Sequence, residues 1–384
     1  MFWMAGSAPL TPKGSSSAGC HWKVNLDATI EAGQSRFRRR PNAQGGRGHP
    51  QTPRGGAKAI RPEDLYGALD LGTNNCRLLI ATPGENGFTV VDAFSRIVRL
   101  GERLTQTGRL HDHAMARTVD ALRVCANKLK WRNVTKARLV ATEACRMAEN
   151  GAEFIARVAS ETGLRLEIID RETEASLAAT GAEPLIDPQA ETALVFDIGG
   201  GSTEVMWMQK KDERFEIAAW TSLAAGVVTI SERFGGGVDV TEQSFAAMRA
   251  YLRPMVEEFA ARVKRVAGSS EPSHLLGTSG TVTTIAGVQL GLQRYDRSRV
   301  DGCWLDSVGI GAVTADLLSM GYDQRAANPC IGRERADLVL AGCAILEEIR
   351  EAFPARRIRV ADRGLREGIL TQLMKQDGAY GRRA

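Results

Sequence analysis

Apolar residues gather from Tyr66 onward in short runs that alternate with stretches of helical period, whereas residues 1–60 hold no sustained apolar period. Tyr66–Leu71 and Arg77–Ala81 are apolar runs around a Gly/Asn turn and predict a hairpin; Phe88–Phe94 and Ser95–Leu100 continue as strands. Between Asp112 and Lys130, Met115, Val119, Leu122, Cys125, Ala126 and Leu129 recur at helical spacing, the mark of an amphipathic helix. Ala137–Thr142 reads as a buried strand, Met147–Thr162 as a helix stopped by Gly163, Leu164–Ile169 as a strand and Glu172–Gly181 as a short helix. Pro184 and Pro188 then mark a loop.

A second start follows. Thr192–Phe196 runs as a strand into a glycine-rich turn, Glu204–Met208 and Ile217–Leu223 continue as strands, and Thr241–Val266 forms a long helix with Pro254 as a kink point. Ser273–Leu276 leads through Gly277–Thr281 into another helix. Helices over 308–320 and 333–352, a strand Arg357–Val360 and a last helix from 364 complete the pattern. The reading is two α/β halves, each opening with a strand–turn–strand unit.

Composition narrows the class. At 384 residues with 43% hydrophobic and 25% charged, the chain is an ordinary globular protein of two or three packed units. It holds no run of about 18 apolar residues, so no transmembrane helix is expected, and Met1–Leu10 lacks the basic, then apolar, layout of a secretory signal. The seven cysteines sit at least thirteen residues apart, which fits neither a disulfide framework nor a CxxC zinc site and points to a reducing cytoplasm. The five histidines make no metal-ligand pattern, leaving carboxylates and phosphates to hold any metal.

Charge is uneven. Residues 1–65 carry ten Lys/Arg against four acids, while 66–384 are nearly neutral. The run Arg36–Arg40 within the tail reads as solvated charge in a disordered extension. A neutral core without a matching motif argues against specific nucleic-acid binding, and no GxSxG elbow supports a serine hydrolase.

The glycine turns carry the chemistry. Asp70-Leu71-Gly72-Thr73-Asn74-Asn75 and Asp197-Ile198-Gly199-Gly200-Gly201-Ser202-Thr203 share one layout, an acid at a strand end followed by glycine and hydroxyl or amide side chains. Glycine lets backbone N–H groups approach an anion, and the acid suits a water-bridged magnesium ion. One such turn alone is an ordinary hairpin; two copies, 127 residues apart, would clamp a phosphate chain from both sides. Gly277-Thr278-Ser279-Gly280-Thr281 adds a third, where a strand meets a helix N-terminus that alone reads as a capped helix. No Walker loop is present.

These turns, in this order, resemble the actin, sugar-kinase and heat-shock-chaperone superfamily. Further segments narrow the resemblance: Ala141–Arg146, Glu174-Ala175, Glu204 directly after the second turn, Arg335-Ala336-Asp337 through Gly342, and Asp362–Gly368. They look like the exopolyphosphatase/guanosine pentaphosphate phosphohydrolase family over Tyr66 to Gln372, in a short form without C-terminal helical domains. The resemblance implies two actin-like (ribonuclease H-like) α/β domains with a cleft between them. The boundaries it suggests are a basic extension over 1–64, a first domain over 65–172 completed by the C-terminal helix 364–384, and a second over 173–363.

It also implies a magnesium-dependent hydrolase that releases terminal phosphate from polyphosphate or guanosine pentaphosphate. Glu174 matches the general base, a role its spacing alone would not assign. Arg146 and Glu204 join it as catalytic residues, Asp197 and Asp70 hold the metal, and Gly72, Thr73, Asn74, Gly200, Gly201, Ser202, Thr203, Gly277, Thr278, Ser279 and Gly280 bind phosphate. Arg96 and Arg99 are further candidates to neutralise the terminal phosphate, and a homodimer is a family expectation that no sequence feature carries. Thr173, Ser176 and Asn75 depart from the family's usual residues. Thr173 and Ser176 keep a non-catalytic polyphosphate- or nucleotide-binding regulator open beside the hydrolase; a sugar or acetate kinase lacks an insert for its pocket.

Overall fold

A computed structural model of the chain describes residues 64–85 and 87–382, so the expectations for the tail fall outside the described residues. Strands β1 (Tyr66–Leu71), β2 (Asn75–Gly84), β3 (Gly87–Ile97), β4 (Lys136–Ala141) and β5 (Glu167–Ile168) form one sheet in the order β3-β2-β1-β4-β5. Strands β6 (Thr192–Ile198), β7 (Thr203–Lys211), β8 (Arg214–Leu223), β9 (His274–Thr278), β10 (Trp304–Asp306) and β11 (Arg357–Ala361) form a second, in the order β10-β11-β9-β6-β7-β8. In each sheet three antiparallel strands come first, and the next strand then pairs parallel with the first of them, β4 on β1 and β9 on β6. The expected pair of actin-like α/β halves is what the chain forms.

Alternation along each strand decides what covers which face. Leu69, Leu71, Leu78 and Ile80 pack with Val119 and Leu122 of the helix Asp112–Trp131 and with Phe154 and Val158 of the helix Gly151–Thr162. Their neighbours Ala68 and Leu79 meet Ile369, Leu370 and Met374 of the helix Leu365–Gln376 on the other face. In the second sheet Leu194 and Phe196 face the helices Glu242–Ala267, Ser279–Gln289 and Val339–Ala352, while Ala193 and Val195 face Ala175, Ala179 and Ala182 of the helix Arg171–Ala182.

The helices Arg171–Ala182 and Leu365–Gln376 cross between the halves in backbone contact. A Cβ on Gly181 would sit 2.0 Å from the Gly364 carbonyl oxygen, and one on Gly368 1.9 Å from that of Leu177. No other residue fits at either point.

Four local readings change. Phe88–Leu100 is one strand to Ile97 rather than two. The helix read from Met147 is two, Glu143–Met147 and Gly151–Thr162, because the chain turns so tightly that a Cβ on Gly151 would meet the Cys145 carbonyl at 2.1 Å. Leu164–Ile169 pairs only at Glu167 and Ile168, since Leu164 and Leu166 are drawn into the core instead of the ladder. The helix read from 333 starts at Val339, after turns that carry Arg335 toward the cleft. No helix among the described residues is long and apolar enough to cross a membrane.

Candidate active site

The two glycine turns meet in the cleft between the sheets. Gly72 N–H donates to Asn75 O at 2.9 Å and Gly199 N–H to Ser202 O at 2.9 Å, the same turn-closing bond in both halves. A Cβ on Gly200 would lie 3.0 Å from Thr73 Cβ, and one on Gly201 2.7 Å from Thr73 Oγ1, so only glycine lets the turns come this close. Together with Ser279 and Gly280 at the mouth of their helix, they enclose a cavity of about 130 Å³. That is the scale of a cavity that takes one benzene-sized molecule.

Three buried polar atoms here have no hydrogen-bond partner among the described residues: Asn74 Oδ1, Asn75 Oδ1 and Ser279 Oγ. Ser279 also holds φ +85°, a left-handed backbone that a serine adopts only at a cost. Orphaned polar atoms and backbone strain concentrated in one cavity are what a site for a polar ligand looks like before the ligand arrives.

Four carboxylates crowd the same space, and burial pushes each above the ordinary carboxylate range. Asp70 is raised to about 6, with Arg77 and Arg366 pulling the other way. Asp197 is raised by burial against the Thr278 hydroxyl. Glu204 is raised to about 7 by burial and then by Asp197, although Ser202 and Ser222 both donate to its Oε1 at 2.8 Å. Glu174 is raised by burial and then by Glu204, with Arg146 opposing.

Glu174 sits in the first turn of its helix, where Asp170 accepts the Thr173 N–H at 2.7 Å as cap. Its orientation is fixed by Arg146, which donates from Nη2 to Glu174 Oε2 at 2.6 Å, from Nε and Nη2 to Glu143 Oε2, and from Nη1 to the Ile169 carbonyl at 2.6 Å. Glu143 in turn is gripped by Arg171 at 2.6 Å. Arg146 is thus spent on aiming a carboxylate.

Of the residues singled out in the sequence, Gly72, Thr73, Asn74, Gly200, Gly201, Ser202, Ser279, Gly280, Asp70, Asp197, Glu174 and Glu204 line the cavity. Three other expected phosphate residues are not among its lining residues. Thr203 donates its hydroxyl to the Ala225 carbonyl at 2.6 Å, Gly277 packs under the Phe196 ring, and Thr278 stands beside Asp197 at the end of β9. Arg96 and Arg99 do not line it either: Arg96 stacks over the Phe94 ring, and Arg99 is paired to Asp337.

Sequence reasoning missed the two arginines that do line it. Arg77 and Arg335 face the cavity, and among the described residues neither makes a side-chain hydrogen bond or ion pair. Arg77 follows Asp70 at the interval by which Glu204 follows Asp197, a correspondence that the repeat offset would have exposed.

Residues 79–377 match the Ppx/GppA phosphatase family. The chain is 30% identical over 319 residues to exopolyphosphatase 2 of Mycobacterium tuberculosis, covering 80% of this chain and 97% of that protein. It resembles the crystal structure of the Aquifex aeolicus Ppx/GppA family member at 27% identity and TM-score 0.68, covering 82% of this chain and 98% of that one. A Cytophaga hutchinsonii exopolyphosphatase shares the fold at 24% identity and TM-score 0.73, with coverage of 82% and 98%. The match runs through most of both halves, and the relatives are spanned almost end to end: the chain belongs to the Ppx/GppA phosphatase family.

Proposed function

We propose that this phosphatase is an exopolyphosphatase, releasing orthophosphate from the end of linear polyphosphate by attack of a water that Glu174 activates. The observation that carries the reading is the cleft cavity of about 130 Å³ with Glu174 held at its wall by Arg146. The curated relative at 30% identity is named an exopolyphosphatase.

Anionic phosphoanhydrides resist nucleophiles by charge repulsion, so the site's task is to neutralise charge and place water. Arg77, Arg335 and the backbone N–H groups of the glycine turns supply donors for the phosphoryl oxygens. Glu174, made more basic by burial and by Glu204, takes a proton from the water as its oxygen bonds to the terminal phosphorus. The bridging P–O bond breaks, and the shortened chain leaves with that oxygen.

Four buried carboxylates with hydroxyl and amide oxygens are a hard donor set that fits magnesium. Among the described residues no three His, Cys, Asp or Glu side chains converge as a protein-only cage. An ion here would be held by Asp197 and Asp70, with water and substrate phosphates supplying the rest of its shell. When bound, magnesium would offset the negative charge of the phosphoryl oxygens.

The test is phosphate release from long-chain polyphosphate with magnesium, wild type beside Glu174→Gln. The variant should fold and lose at least about 100-fold in rate, the usual worth of a general base. Full activity in Glu174→Gln removes the base; release from guanosine pentaphosphate alone moves the substrate to that nucleotide.

A further inference from the structure

Each glycine turn is braced from outside by a second segment of its own half. The Asn74 carbonyl accepts the N–H groups of Val98 and Arg99 at 2.9 and 3.1 Å, and the Thr73 carbonyl accepts Gly101 N–H at 2.9 Å. In the other half, Val227 and Val228 N–H donate to the Gly199 and Gly200 carbonyls at 2.9 and 2.8 Å. Residues 98–105 and the helix Val227–Arg233 are therefore stiff extensions of the two turns.

These extensions grip each other. Glu232, near the end of its helix, accepts the Arg103 N–H at 2.7 Å and the Thr105 hydroxyl at 2.6 Å. Alongside, Arg99 sets its two Nη atoms on the Asp337 carboxylate at 2.9 and 3.1 Å and also donates to the Glu334 carbonyl. Asp337 lies two residues from Arg335, and its carbonyl accepts Ser231 Oγ at 2.9 Å. The buried Arg325 steadies the residue between, donating from Nε to the Ala336 carbonyl at 3.2 Å. Arg99 holds φ +48°, a backbone that glycine or asparagine would take more readily, so the position tolerates strain to present a guanidinium.

We infer that Arg99, Asp337 and Glu232 form a clasp between the halves that sets the spacing of the two phosphate turns, with Arg99 a positioning residue that does not touch substrate. With Thr73 against Gly200, a small change in the clasp changes the gap between the turns, and so how a phosphate chain seats between them. The Arg99 side chain is 37% exposed, and an ion pair this wet is weak enough to allow that change. The effect on turnover rests on the hydrolase reading proposed above; the clasp rests on geometry alone.

The experiment compares wild type, Arg99→Ala, Asp337→Ala, Glu232→Ala, the milder Glu232→Gln, and the exchange Arg99→Asp with Asp337→Arg, each checked by thermal melt. Small-angle scattering without substrate should show a larger radius of gyration for the three alanine variants and a wild-type value for the exchange. With polyphosphate, each alanine variant should raise KM about five-fold with kcat kept within about two-fold, as expected for loss of one exposed pair, and the exchange should restore KM. Glu232→Gln, which still accepts one N–H, should fall between. If Arg99→Ala lowers kcat, Asp337→Ala matches wild type and the exchange fails to rescue, Arg99 is a phosphate ligand and the clasp is wrong. Unchanged scattering and KM in all variants overturn it equally. If wild type releases no phosphate, the hydrolase reading fails while the scattering still decides the clasp.

Discussion

In the first hairpin Asp70 stands across the ladder from Arg77; in the second, Asp197 stands across from Glu204. The two pairs occupy the same places in two copies of one scaffold, with the same turn-closing bond beside them. A carboxylate facing a guanidinium is a favourable cross-strand pair, whereas two carboxylates facing each other are not. Glu204 is held by the Ser202 and Ser222 hydroxyls, whereas the first hairpin is built without an acid at that place. The comparison teaches that the scaffold tolerates either sign and that the difference belongs to chemistry. One hairpin sets an arginine across from its buried acid, and the other sets two buried acids face to face.

Erasing the difference from the acidic side should cost most. Glu204→Gln leaves the Ser202 and Ser222 hydroxyls an oxygen to bond but removes the charge, and should lower phosphate release by about 10²–10³-fold, the scale of one lost electrostatic stabiliser. Steady-state rates with magnesium check this; a loss under ten-fold would make Glu204 a structural residue.

The same asymmetry should appear in stability without any substrate. Asp70 titrates at about 6 and Glu204 at about 7 in the folded chain, both above their unfolded values of 3.8 and 4.5. The folded state therefore binds more protons than the unfolded state across this window. Stability is fully present below pH about 4, falls as pH rises, and has lost about 3 kcal/mol from Glu204 alone above pH about 7. Thermal melts in EDTA should drop between pH 5 and pH 8, and magnesium at pH 8 should recover the loss by binding the folded acids. A melting point that stays level or climbs over that range in EDTA would mean the acids are compensated from within the protein.

Erasing the difference from the basic side should cost less. Arg77→Gln removes a charge that offsets the buried Asp70, so the variant should fold with a modestly lower melting point above pH about 6. The loss of a charged donor to phosphate should lower kcat/KM by about 10²-fold. Unchanged kcat/KM would show that Arg77 serves only to offset Asp70.

How much of this was legible before the structure depends on range. Apolar alternation located most of the strands, and glycine beside an acid located both turns, because a hairpin is specified within a dozen residues. Glu167 and Ile168 are what remains of a strand read over Leu164–Ile169, since core burial of Leu164 and Leu166 outweighed the ladder. Arg99 stood as a candidate to neutralise phosphate only through the family resemblance. Its partner Asp337 is 238 residues away, and local pattern carries no information about such a pair. Arg77 was overlooked for the opposite reason: its meaning lies in comparison with Glu204.

The comparison extends one strand further, and there it yields the smallest effect. After β9 the second half enters its helix through Ser279, left-handed at φ +85° with a buried, unpartnered hydroxyl, whereas the first half leaves β4 through Thr142 at φ −119° into Glu143. Ser279→Gly removes the strain and the stranded hydroxyl together, and should raise stability by about 1 kcal/mol. If the hydroxyl serves phosphate, the same change should lower kcat/KM by about ten-fold, the worth of one hydrogen bond to a charged group. Melting point and turnover must therefore move in opposite directions. A stabilised variant of undiminished activity would make the strain incidental to phosphate binding, and would leave the acid-and-arginine asymmetry of the hairpins to account for the site by itself.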